Sequence, residues 1–141
     1  MKFYEALEVV VYIALHPGSD PVSSNEICSK QSVLPRHLEP VLKNLVKHNI
    51  LKGTKGPKGG YTLVKEKRKL TIEEIYRAFV APEIYGDKAK KSQLQKAVII
   101  PLYQQINENT LKMLRAIKLE DLCKKTKIVS ENTVVAAEFN I

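Results

Sequence analysis

The stretch from Leu51 to Leu63, Leu-Lys-Gly-Thr-Lys-Gly-Pro-Lys-Gly-Gly-Tyr-Thr-Leu, limits the fold more than any other part of this 141-residue chain. Short β-prone ends (Ile50 and Leu51, then Tyr61, Thr62 and Leu63) flank a centre that holds four of the six glycines, Gly53, Gly56, Gly59 and Gly60. Such a segment suits a tight hairpin, because glycine takes positive φ without a Cβ clash. Lys52, Lys55 and Lys58 stand in it with no acidic neighbour. Its tip is therefore a cationic finger, suited to a phosphate backbone or a narrow minor groove.

The charge around the hairpin points the same way. Residues 30–69 carry eleven Lys and Arg against Glu39 and Glu66, a surplus of nine in a chain whose net charge is +8. A polyanion is the first partner this implies; the competing reading is a solvated lysine-rich surface. An anionic membrane fits less well, since no basic amphipathic helix with bulky aromatics accompanies the charge. No apolar run approaches the ~20 residues of a membrane span and the first residues lack a signal-peptide pattern, so a cytoplasmic location is expected. Two cysteines 95 positions apart make neither a disulfide framework nor a zinc site.

Periodicity orders the rest. Phe3, Ala6, Leu7, Val10, Ile13 and Ala14 stand at helical spacing, and His16-Pro17-Gly18 ends that helix. Ser23-x-x-Glu26 reads as a capping box opening a short helix from about Ser24 to Lys30. Pro35 suits the first position of another helix, running to about His48 and burying Leu38, Val41 or Leu42, Leu45 and Val46. Pro40, five places inside it, removes one backbone bond and should bend the first turn. After the hairpin and the basic run Lys65 to Lys69, Thr71-x-x-Glu74 is a second capping box. It opens a helix from Ile72 to about Ala81, which Pro82 blocks.

Helix, short helix, turn, helix and basic hairpin is the order of a winged helix-turn-helix domain. It predicts a mainly α fold with a small β-hairpin wing over residues 1–82. There the second helix of the pair enters the major groove and the wing lies on the flanking backbone or minor groove. Residues 83–100 read as a loop, with Gly86 in a turn. Pro101 can start a long helix to about Ile117 that places Leu102, Ile106, Met113, Leu114 and Ile117 on one side. With a short helix from Leu119 to Lys124, it makes a segment over 101–125, followed by a tail of no assigned structure over 126–141. A single long helix on a compact domain has little of its own to bury against. This favours a homodimer, and two-fold proteins match palindromic operators.

Leu38-Glu39 with Leu42 and Leu45, Gly56-Pro57-Lys58-Gly59-Gly60-Tyr61-x-Leu63 and Thr71-Ile72-Glu73-Glu74-Ile75 resemble the Rrf-two family of bacterial transcription regulators. The resemblance runs from about residue 1 to 125, where Ile117-Lys118-Leu119-Glu120-Asp121-Leu122 is similar to the motif closing the family's dimerisation helix. It implies a homodimer that binds double-stranded operator DNA, most simply as a repressor. Arg36, His37 and Glu39 fall where the family presents base-reading residues. Lys43 and Lys47 continue that helix, and Lys55 and Lys58 belong to the wing. Many members carry arginine at the position of Lys55; lysine keeps the charge without the planar fork. Pro40 stands where many have a glutamine or similar residue. Cluster-binding members hold iron and sulfur with three cysteines just before the long helix, but Pro82 to Ile100 contains no cysteine or histidine. The resemblance thus implies a member without a cluster or other cofactor.

Cys28 and Cys123, each with lysines nearby in sequence, permit a thiol switch, against the simpler reading of two small semi-buried residues. His16, His37 and His48 lack metal-ligand spacing; His16 and His48 suit helix C-termini, and His37 could meet DNA. Lys65 to Lys69 either touches phosphates or solvates a connection. No catalytic arrangement of Ser/His/Asp, Cys/His or paired carboxylates is visible, so an enzyme is not expected. A winged domain used only for protein contacts is the remaining alternative, and it predicts no surplus of positive charge.

Overall fold

The computed structural model of the chain describes residues 2–80 and 90–139. The expected stop at Pro82 and turn at Gly86 lie outside them. Helix α1 (Lys2–Leu15) buries Ala6, Val9, Val10 and Ile13, while Phe3, Leu7 and Ala14 sit half-buried at its edges. It is the central element of the core, packed against the third, fourth and last helices and the second strand of the hairpin.

Helix α2 (Ser24–Gln31) is capped by the Ser23 side chain, which accepts from the Glu26 amide at 3.2 Å. The expected reciprocal half of the box does not form. The Glu26 carboxylate instead accepts from the Tyr12 hydroxyl at 2.9 Å and lies 3.1 Å from His16 Nε2, tying α2 to α1. Ser32, in the left-handed region (φ 53°), ends the helix, with the Val33 amide donating to the Cys28 carbonyl.

Helix α3 (Pro35–Lys47) starts at Pro35 as expected and buries both Val41 and Leu42, together with Leu38 and Leu45. Val46, expected inside, is exposed. Pro40 lies within the helix, where a proline costs about 3 kcal/mol. Four buried side chains at ~1.5–3 kcal/mol each outweigh that cost. Asn49, left-handed at φ 56°, turns the chain out of α3, with the Ile50 amide returning to the Leu45 carbonyl.

Strands β1 (Leu51–Thr54) and β2 (Gly60–Leu63) form the antiparallel hairpin, with Leu51 opposite Leu63 and Thr54 opposite Gly60. At the tip the Gly59 amide donates to the Gly56 carbonyl across Pro57 and Lys58. Helix α4 (Ile72–Phe79) carries the complete capping box: Thr71 Oγ1 accepts from the Glu74 amide, and the Glu74 carboxylate accepts from the Thr71 amide. Phe3 of α1 meets Tyr76 of α4 edge-on, ring centroids 5.3 Å apart. Asn44 of α3 donates to the Ala78 carbonyl of α4 at 2.6 Å.

The second half departs more from expectation. Part of the stretch expected to be a loop is helical: a π-helical turn over Gln95–Ile99 runs directly into α5 (Ile100–Arg115). Pro101 therefore lies within a helical run that begins before it. Leu102, Ile106 and Met113 are 53%, 54% and 62% exposed, but Leu114 and Ile117 pack on the chain's own core and Leu111 is buried. The predicted single face is thus two. Leu94 and Val98, in the supposed loop, extend the exposed stripe at four-residue spacing.

The supposed short helix and tail are one helix, α6 (Leu119–Phe139). Its start is pinned to the winged domain: the Leu119 amide donates to the Leu70 carbonyl, and the Ile72 amide to the Ile117 carbonyl. Leu119 and Cys123 belong to the same buried cluster as α1, so a single core spans both halves of the chain. No described helix is long and apolar enough to cross a membrane.

Candidate nucleic-acid interface

Burying Leu38, Val41, Leu42 and Leu45 turns the remaining side of α3 outward. Arg36, His37, Glu39, Lys43 and Lys47 are all exposed on it. Arg36 Nε donates to His37 Nε2 at 3.3 Å, placing these two side chains side by side at the start of the helix. Glu39 and Lys43 pair at 2.9 Å; the ammonium holds the Glu39 carboxyl below its ordinary range, and the carboxylate raises the Lys43 pKa. Part of the positive charge on this face is therefore answered within the helix.

The hairpin stands across a cleft of about 610 Å³ from α3. Lys43 and Val46 line one side, Lys55 and Gly56 the other, and Ser24 and Asn25 at the start of α2 close the end. Lys43 and Lys55 thus share one cleft. Arg36, His37, Glu39, Lys47 and Lys58 do not line it. Sequence reasoning missed Ser24, Asn25 and Val46. The first two could have been found, because an N-cap at Ser23 makes the next residues the first turn of a helix, with amides free for an anion. Val46 could not, since its apolar side chain reads as core.

One backbone contact fixes the hairpin relative to α2. The Val22 amide donates to the Tyr61 carbonyl at 3.0 Å and the Tyr61 amide returns a bond to Val22 at 2.8 Å. Gly60 permits this approach: a Cβ there would lie 2.4 Å from the Val22 carbonyl oxygen, and its φ of 157° is one L-residues rarely adopt. Wing and α2 N-terminus are therefore joined through Val22, immediately before the cap. In the basic run that follows, Lys65 pairs with Glu74 and Arg68 with Glu66, so these two act within the fold.

The remaining candidate ligands are dispersed. His48 Nδ1 lies 2.9 Å from the Asn44 carbonyl at the end of α3, and His16 is engaged with Glu26. Cys28 and Cys123 are both free and buried. Burial pushes the Cys123 thiol up, away from the thiolate that redox chemistry needs. Among the described residues no three His, Cys, Asp or Glu side chains group to hold a metal ion.

A recognition helix and a wing flanking one cationic cleft define a winged helix-turn-helix DNA-binding domain. The chain belongs to the Rrf2 (Rrf-two) family, described as iron-dependent transcriptional regulators, which it matches over residues 1–125. The HTH-type transcriptional regulator IscR of Xenorhabdus nematophila is 24% identical over 128 residues, covering 88% of this chain and 77% of that protein. Two solved structures share the fold. CymR, the global cysteine regulator of B. subtilis, is 23% identical with a TM-score of 0.68, covering 89% of this chain and 95% of that one. IscR of T. potens is 24% identical with a TM-score of 0.70, covering 89% and 85%. The chain is thus a DNA-binding transcription regulator, not an enzyme. The family's description names iron, and the thiolate donors of an iron–sulfur cluster are few here. Residues 82–100 supply neither thiolate nor imidazole, and the two cysteines lie buried on α2 and α6.

Proposed function

We propose that the chain acts as a homodimeric repressor without an iron–sulfur cluster, reading operator DNA with α3 and gripping the backbone with the hairpin. The observation that carries this is the cleft that Lys43 of α3 and Lys55 of the hairpin both line, beside the α2 N-terminus. Arg36, His37 and Glu39 are the base-reading set; Lys43, Lys47, Lys55 and Lys58 answer phosphates. The exposed stripe Leu102, Ile106 and Met113 on α5 supports the dimer, because apolar side chains at helical spacing lose water only against another surface. Selection of bound fragments from a genomic DNA pool tests the reading. It should yield an inverted repeat occupied by two chains, with affinity falling steeply with salt, and the bound protein should block transcription from an overlapping promoter. Protein purified without oxygen should contain neither stoichiometric iron nor visible cluster absorption; either finding would overturn the cluster-free part.

A further inference from the structure

A trough of about 710 Å³ runs between α1 and α6, on a face separate from the cationic cleft. Leu7, Val11 and Leu15 form its α1 wall, at one-turn spacing, and Leu122 and Val129 its α6 wall. The C-terminal end of α2, Lys30 and Gln31, closes it. Its size is that of a small-molecule pocket, and its walls are apolar.

The polar groups around it divide into spent and unspent. The Tyr12 hydroxyl donates to Glu26, and the Thr126 hydroxyl to the Leu122 carbonyl. Lys30 and Lys125, both exposed, have no ion-pair partner among the described residues. Glu8 is the acidic residue in the lining. Two lysines against one glutamate leave one positive charge, which suits a monoanion rather than a phosphate dianion.

We propose that this trough binds a small amphipathic monocarboxylate, its chain along the α1–α6 walls and its carboxylate between Lys30 and Lys125. Lys30 lies in the last turn of the helix preceding α3, and Lys125 on α6. A ligand held by both therefore joins α6 to the helix-turn-helix and acts as an effector. The effector role rests on the DNA-binding reading; the binding site does not.

Calorimetry with hexanoate, octanoate and 1-octanol on the full chain tests the site. Octanoate should bind saturably, one per chain, about tenfold more tightly than hexanoate for two more buried methylenes. It should also bind about tenfold more tightly than the uncharged alcohol. Lys30→Gln with Lys125→Gln should erase the preference over the alcohol, and Val129→Glu should weaken both ligands. Absence of saturable binding, equal binding of acid and alcohol, or indifference to these substitutions would overturn the site. So would a Val129→Glu protein that loses its dimer in sedimentation, because a second copy would then fill the trough. Saturating octanoate should shift operator affinity by about fivefold or more. Ligand binding with unchanged operator affinity overturns the effector role, whereas ligand-free protein that ignores operator DNA overturns the DNA reading instead.

Discussion

The outer face of α3 with the hairpin and the outer face of α5 both meet solvent, and they are incomplete in different ways. The first presents Arg36, Lys47, Lys55 and Lys58, charged groups that water solvates well. Leaving them exposed costs little, so a partner gains there chiefly by releasing counterions, and the gain depends on salt. The second presents Leu94, Val98, Leu102, Ile106 and Met113, each about half exposed or more. Water solvates these poorly at every salt concentration, and burial gains roughly 25 cal/mol per Å². A surface of the first kind suits a partner that comes and goes. The second suits one that stays.

The sharpest way to break this contrast is a charge in the α5 stripe. In the proposed dimer, Ile106→Glu would set two carboxylates into an apolar interface, raising the dimer dissociation constant by about 100-fold or more, since unpaired buried charges cost several kcal/mol. Sedimentation equilibrium reads this directly. The chain's own fold should be unaffected, because Ile106 is exposed. A variant that stays dimeric at the same concentration would remove α5 as the interface.

On the other face effects should be smaller and selective. Arg36→Ala should cost ~1–3 kcal/mol per half-site if the guanidinium reads a base edge, with the loss confined to the cognate sequence. Lys55→Ala should cost about 1 kcal/mol per protomer at physiological salt and weaken all sequences alike. The slope of log K against log salt should fall by ~0.9 for each phosphate that is no longer neutralised. Anisotropy titrations on cognate and scrambled duplexes at several salt concentrations separate the two. Neither variant should alter the dimer constant, and a change in it would couple the faces.

Legibility in the sequence followed the range of the forces involved. Thr71-x-x-Glu74 and Ser23-x-x-Glu26 are the same motif, yet only the first closes as a box. Tyr12 and His16, ten or more positions from Glu26, compete for its carboxylate, and no local pattern reveals that. The hairpin was readable because its glycines and proline act locally. The fold of α3 was readable apart from Val46, whose apolar side chain lies open in the cleft. Helix α6 was readable only over its first turns, Leu119 to Lys124; beyond them its β-branched residues have modest helix propensity. Its start is held by Leu119 and Cys123 in the core and by Asp121, which accepts from the Lys118 amide at 2.9 Å. For the site, the two lysines that line the cleft are legible one by one, but their sharing of one cleft is not. It depends on the Val22–Tyr61 contact, thirty-nine positions apart.

The smallest expected effect concerns the link between the two faces. Glu73 of α4 is buried and bonded to Arg115 of α5 at 2.8 Å and to Arg77 at 2.9 Å. Arg115, then Arg77, lowers its pKa from 4.5 to about 2 against the opposing effect of burial. Stability from this carboxylate is therefore complete above about pH 4.5, the unfolded value, and disappears as the pH falls through about 2. Both arginines are more than half exposed, so solvent screens the pairs and the contribution is about 1 kcal/mol. Glu73→Gln should lose that amount at pH 7 and almost nothing at pH 2, measured by urea unfolding at each pH. If Glu73 also fixes α5 relative to α3, the variant should still dimerise with an unchanged constant while tolerating altered half-site spacing in the operator. Unchanged spacing preference would mean that the packing of Leu111 and Leu114 holds α5 in place without the ion pair.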